Sequence, residues 1–227
     1  MNKRYCNPLI EEVHFAKDLS DPVKKLSRGH LSIDVPMARK IAVNVSKEKF
    51  EKIALCKIRG EADGHWLRAR SEMLLLRGDE VYILEGSEEI CSQGLPVKYT
   101  VPGGGWSKHH SRDERYRTAI KETEEEAGKK VKHVRYANNY IIYDERKHKD
   151  RPCSRSKDKV KQKYRWYGYY TEVFVGEYAG HYHGPVNPLD RDPKFRRAHF
   201  YPIEEVIGKL RKEHQETIRM YRKEFGV

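Results

Sequence analysis

Between residues 101 and 128 the chain reads VPGGGWSKHHSRDERYRTAIKETEEEAG: three consecutive glycines, then a helix whose two ends are both written into the sequence. Ser111 followed by Glu114 is a capping box, and Gly128 stands where a left-handed C-terminal cap is wanted. At about 100° per residue, Tyr116, Ala119, Ile120, Thr123 and Ala127 fall on one side, a stripe suited to packing on a sheet. Glu122, Glu125 and Glu126 share an arc of roughly 100° on a different side, and Glu124 points elsewhere.

Such crowding is unexpected in a chain of formal net charge +12. Like charges at helical spacing cost a few tenths of a kcal/mol per pair, and carboxylates in a last turn face the negative end of the helix dipole. Two readings offset that cost. Hard oxygen ligands on one face make a site for magnesium or manganese, or the cluster is a solvated acidic face. Glycines directly before the helix let backbone approach a phosphate or a metal, because no Cβ intervenes.

The order of strand, Pro-Gly-Gly-Gly loop, capped helix and E-x-x-E-E-x-G over residues 103–129 resembles the Nudix hydrolases, whose signature is G-x5-E-x7-R-E-U-x-E-E-x-G-U with U apolar. Glu122, Glu125, Glu126 and Gly128 match. Lys121 replaces the arginine, Thr123 an apolar residue and Lys129 the last apolar position, while Asp113 stands at the first glutamate. From Gly105 to Lys121 the gap is two residues longer than the signature allows. Lysine keeps the charge of arginine but not its planar fork.

The resemblance extends over residues 65–227 and implies an α/β fold, a Nudix-type α/β/α sandwich with a mixed sheet, preceded by an N-terminal α+β extension over residues 1–64. It implies hydrolysis of the diphosphate linkage in a nucleoside diphosphate joined to a group X, either a nucleotide or a nucleotide-capped RNA end, with Mg2+ or Mn2+ as cofactor. Glu125 and Glu126 would be metal ligands, Glu122 a ligand or the base that takes the water proton, and the carbonyl of Gly104 or Gly105 a further ligand. Asp113 is a lesser candidate at the helix start. Lys121 would lie on the substrate side. Tyr143 stands at roughly the distance after the box where dinucleoside-polyphosphate hydrolases of the family carry a tyrosine.

Elsewhere, SEMLLLR and VYILEG flank Gly78-Asp79 and predict two strands joined by a tight turn. YRWYGYYTEVFVGEY predicts a strand, and a final helix is expected from about Ile203, with Val206, Leu210, Ile218 and Tyr221 in period. In the extension, LSIDVPMARKIAVNV is strand-like, and SKEKFEKIALCK from Ser46 reads as a short helix ending near Gly60.

No apolar run reaches the roughly 18–20 residues of a membrane helix, and MNKRYCNPLIEEV turns acidic before a signal segment could form, so a cytoplasmic protein with no membrane partner is expected. Cys6, Cys56, Cys91 and Cys153 are far apart and read as free thiols. The net charge favours polyanionic partners, a nucleotide substrate or RNA, or serves solubility. A homodimer through the N-terminal region is a further expectation open at this point.

The basic run 145–163 is a solvated loop or a phosphate or RNA clamp, with Arg151, Arg155 and Lys161 as representatives. Tyr164, Trp166, Tyr167, Tyr169 and Tyr170 are core residues or a base-stacking platform. His109 with His110, and His181 with His183, lack a third ligand at zinc spacing and read as surface or phosphate-contacting groups. Asp190 and Asp192 sit in a late loop and read as turn residues, with an added metal ligand as the alternative. The competing class of function is a nucleic-acid-binding module with no catalysis. Metal dependence separates the two, because simple phosphate binding needs only cations and weakens with salt.

Overall fold

The computed structural model describes the backbone of residues 14–15, 23–25, 31–34, 39–43, 55–58, 65–86, 99–106, 112–144, 166–184 and 195–225, and side chains over most of 69–85, 99–106, 114–141, 169–184 and 198–223. Five short strands come first: β1 (His14–Phe15), β2 (Val23–Lys25), β3 (Leu31–Asp34), β4 (Arg39–Val43) and β5 (Leu55–Ile58). There follow β6 (His65–Arg77), β7 (Glu80–Gly86), β8 (Tyr99–Thr100), β9 (Gly103–Gly105), helix α1 (Arg112–Ala127), β10 (Lys129–Asp144), β11 (Trp166–His181) and β12 (Phe195–Pro202). The chain ends in a short helix α2 (Ile203–Val206), a 3-10 turn (Ile207–Lys209) and helix α3 (Lys212–Phe225).

All the strands belong to one mixed sheet whose main path runs β1-β10-β11-β6-β5-β3-β2. β11 lies antiparallel to β10 and parallel to β6. β6 also turns back through Gly78 and Asp79 into β7, with Arg77 opposite Glu80. Gly78 holds φ +57°, the left-handed conformation such a turn needs, so the tight turn expected from the sequence is present.

Alternation along β6 explains why both faces of the sheet are covered. Met73 and Leu75 point to one face, where they pack with Ala119, Ile120 and Ala127 of α1 and with Val134, Tyr136 and Phe174. Leu74 and Leu76 point to the other, into a cluster with Tyr140, Val173, Ile203, Val206, Leu210 and Ile218. A helix therefore closes each side, giving an α/β/α sandwich. Each fully buried aliphatic or aromatic side chain contributes roughly 1.5–3 kcal/mol.

Two expectations are corrected. The final helix is broken: Leu210 has ψ 161°, so the helical path stops there and resumes at Lys212. Val206, Leu210 and Ile218 are nevertheless all buried, because the break keeps their apolar side on the sheet. The helix expected over SKEKFEKIALCK does not extend to its end, since Leu55–Ile58 forms β5, parallel to β6 and antiparallel to β3. Neighbouring unpaired edges on β6 and β3 override weak local propensity there. Strand character in LSIDVPMARKIAVNV is found in β3 and β4. Among the described residues, no helix is long and apolar enough to cross a membrane.

The face under α1 also carries a buried ion pair. Arg115 Nε lies 3.4 Å from Glu172 Oε2, both side chains being 2% exposed. The Tyr170 hydroxyl donates to Glu172 Oε1 at 3.0 Å, and the Arg115 guanidinium sits 5.0 Å from the centre of the Trp106 ring. Removing one partner of such a pair leaves an uncompensated buried charge. Glu172→Gln is expected to cost roughly 3–5 kcal/mol of unfolding free energy, read from the urea midpoint; a loss below about 1 kcal/mol would show that Arg115 has another route to solvation.

Candidate functional site

Helix α1 follows its sequence pattern. Ala119, Ile120, Thr123 and Ala127 are buried and Tyr116 packs at the edge of the same cluster. Thr123 occupies its apolar position without an orphaned hydroxyl, because Oγ1 donates to the Ala119 carbonyl at 2.8 Å. Gly128 terminates the helix with φ +62°, and its N–H donates to the Glu124 carbonyl at 3.1 Å. Ser111 lies outside the described residues.

This orientation leaves Glu122, Glu125 and Glu126 half-buried, and Glu124 buried at 8% exposure. Burial pushes the Glu124 carboxyl up; Lys130 draws it down and the Glu125 charge raises it further. Glu125 pairs with Lys121 one turn earlier, 3.5 Å away. The lysine in place of the signature arginine thus keeps a pairing role, although it is 67% exposed and worth little in stability.

The glycine triplet is not a loop, as the sequence suggested, but strand β9, antiparallel to β6 with Gly103 opposite Glu72, Gly104 opposite Ser71 and Gly105 opposite Arg70. Each glycine meets a different neighbour. At Gly103 a Cβ would come 2.7 Å from the Ser71 carbonyl oxygen and 2.9 Å from Glu72 Cα, both backbone atoms. At Gly104 the space of a Cβ is taken by the Glu122 carboxylate. At Gly105 the nearest atom is the Ala69 carbonyl oxygen, 3.8 Å away. The Gly103 N–H donates to Glu126 Oε2 at 2.9 Å. Two of the three glutamates of the shared arc are therefore seated on the backbone of a strand without side chains.

Glu122, Glu125 and Glu126 offer half-buried carboxylates, one lodged where a Cβ would be and one fixed by a backbone N–H, and such hard oxygens suit magnesium or manganese, although the group of three whose ligand atoms lie within 4.8 Å of one another among the described residues is Glu72, Glu213 and His214. The glycines in contact with the glutamates are Gly103 and Gly104; Gly105, the expected carbonyl ligand, is exposed. Asp113 is within α1 and Tyr143 within β10, with side chains outside the described residues. Arg151, Arg155, Lys161, His109, His110, Asp190 and Asp192 lie outside the described residues. Tyr170 is a core residue, edge-on to Trp106 at 5.3 Å. His181 Nδ1 is 3.2 Å from Lys129 Nζ, and His183 is exposed.

A second charged group lies beside β9 that sequence reasoning missed. Glu72, completely buried, receives His214 Nε2 at 2.7 Å and a hydrogen bond from Arg211, with Arg70 Nε 2.8 Å away as a further ion pair. Burial alone would raise its carboxyl, but Arg211, Arg70 and His214 outweigh that and hold it well below the usual carboxylate range. In SEMLLLR a lone glutamate beside an apolar run reads as a strand end, and nothing in sequence links it to Arg211 and His214, 139 and 142 residues away.

No protein-family model matches the sequence, and no curated protein does. Solved structures similar to it are Nudix hydrolases. A NUDIX hydrolase from Nitrosomonas europaea is 16% identical, covering 69% of this chain and 89% of its own, with a TM-score of 0.47. An ADP-ribose pyrophosphatase from Streptococcus suis is 15% identical, covering 66% and 87%, with a TM-score of 0.38.

Alanine in turn at the three glycines reads the site directly. Gly103→Ala should destabilise by roughly 1–3 kcal/mol because backbone must yield, Gly104→Ala by less because only the Glu122 side chain must move, and Gly105→Ala hardly at all. Thermal unfolding of the three variants checks this order, and equal melting temperatures would contradict the close approach.

Proposed function

We propose that the chain is a magnesium-dependent Nudix-type pyrophosphohydrolase that cleaves the diphosphate linkage of a nucleoside diphosphate joined to X, a nucleotide or a nucleotide-capped RNA end. The observation that carries this reading is the seating of Glu122 and Glu126 on Gly103 and Gly104, with Glu125 beside them on the same arc. Glu122, Glu125 and Glu126 are the residues that would hold Mg2+ or Mn2+. The metal, when bound, supplies charge neutralisation at the diphosphate oxygens and acidifies a water.

The chain's own residues do the rest. Glu126 is oriented by the Gly103 N–H, so its second oxygen direction is fixed before any ligand arrives. Glu122 is the candidate to accept the proton of the attacking water, its carboxylate being held against the Gly104 backbone. Lys121 tethers Glu125 from the solvent side. Gly105, Tyr143 and Arg151 stay in the proposal as a carbonyl ligand and as substrate contacts, and the cytoplasm as the compartment.

Incubating the protein with ADP-ribose, NADH, dinucleoside polyphosphates, nucleoside triphosphates and capped RNA, with magnesium or chelator, tests the reaction and identifies X. Cleavage between phosphates that chelator abolishes is expected. Absence of cleavage, with RNA retention that falls steeply with salt, would overturn hydrolysis in favour of a binding module. Glu126→Gln should abolish metal-dependent turnover and Glu122→Gln reduce it by roughly 100-fold or more. Glu124→Gln, within two positions of all three ligand candidates, should leave turnover within about twofold and stability equal or slightly raised. The sign follows from its raised carboxyl, whose charged form the fold disfavours at neutral pH.

A further inference from the structure

The buried hub around Glu72 faces the same side of the sheet as Leu74 and Leu76, where helix α3 packs. Arg70 and Glu72 come from β6, His214 from the first turn of α3 and Arg211 from the position just before it, with Glu213 3.0 Å from Arg211 Nε. Ligand-type atoms of Glu72, Glu213 and His214 lie within 4.8 Å of one another. A metal there would have to displace cations already in place, since Arg70 and Arg211 occupy Glu72 Oε1 and His214 occupies Oε2. The group is an ion-pair hub.

Packing alone does not call for such a hub, because apolar side chains of similar volume often serve stability as well as a buried ion pair does. Its distinct consequence is geometric. Arg70 is 26% exposed and bifunctional: Nε faces Glu72 Oε1 at 2.8 Å, and the terminal NH2 group donates to the Gly103 carbonyl at 3.3 Å. Gly103 in turn presents its N–H to Glu126 Oε2. A continuous path of polar contacts thus runs from the first turn of α3, through Glu72 and Arg70, to the one glycine that orients Glu126. The Glu72 side chain also fills the space that a Cβ on Gly103 would need, so hub and strand are locked in register.

We infer that Arg70 is a positioning residue for the metal carboxylate Glu126, transmitting the fixed position of the Glu72–Arg211–His214 hub to the Gly103 backbone. The inference rests on the reading of Glu126 as a metal ligand. Arg70 touches neither metal nor substrate in this role; it acts through Gly103. Groups that orient a metal ligand typically affect affinity by roughly 10–100-fold when removed.

The test is Mn2+ titration of the full-length chain, following the free-ion paramagnetic resonance signal, for wild type, Arg70→Met, Arg70→Lys and Glu126→Gln, with melting temperatures alongside. Arg70→Met is expected to weaken Mn2+ binding roughly 10-fold, and Arg70→Lys, which keeps one charged donor, to fall between it and wild type. A merely structural role would lower the melting temperature of Arg70→Met and leave its Mn2+ affinity at the wild-type value, which overturns the inference. If Glu126→Gln loses Mn2+ while Arg70→Met does not, only the role of Arg70 fails. If Glu126→Gln binds Mn2+ as wild type does, or wild type binds none, the ligand assignment fails and the inference with it.

Discussion

A carboxylate can be laid on the backbone of a strand only where the strand has no side chains to hold it off, and this constraint organises the site. Helix α1 approaches β9 closely enough for Glu122 to take the space of a Cβ on Gly104 and for Glu126 to receive the N–H of Gly103. Alanine in either place would push the helix or its side chains outward. The glycines thus matter here less for conformational freedom than for the volume they leave empty, and neither Gly103 nor Gly104 holds a positive φ.

What keeps the helix at that distance is the other side of it. Ala119, Ala127 and Thr123 are small enough to let α1 settle deeply on Met73, Leu75 and Phe174. Arg115 then reaches Glu172 and the face of Trp106, whose own Nε1 donates to Ser71 at 2.8 Å. Each contact ties α1 or the segment just after β9 to β11 or β6. The glutamates are cantilevered from a helix whose opposite side is anchored in core.

The helix and its acidic arc were legible in the sequence because period, cap residues and turn chemistry all act locally. Gly128 in its left-handed conformation, the Gly78 turn and the buried stripe of α1 are of this kind. So was the separation of Glu124 from the other three glutamates, which depends only on helical angle. The misses share a different origin. Three glycines in a row carry strong loop chemistry, yet they form β9 because an open stretch of β6 edge lies beside them, and no local signal reports an edge. β5 overrode a helical pattern in the same way, by pairing on both sides. The Glu72 hub was invisible because it is made by β6 and α3 meeting across the core, and an isolated arginine and histidine near a helix start read as surface charge.

β6 joins the two faces of the sheet. Its alternation sends Ser71 toward α1, where it accepts from Trp106 Nε1, and sends Arg70 and Glu72 toward α3, where Glu72 meets Arg211 and His214. The three residues opposite the glycine triplet are these same three, Arg70, Ser71 and Glu72. A strand that places Arg70, Ser71 and Glu72 directly before the buried run Met73–Leu76 would be a poor choice for stability alone, since each buried charge must be matched to avoid a penalty of several kcal/mol. This polar stretch coincides with the register of β9, and the apolar run begins just past Glu72, the residue opposite Gly103. The expensive chemistry is confined to the register that faces the glycines, so the two helices on opposite faces of the sheet both bear on the strand against which Glu122 and Glu126 are held.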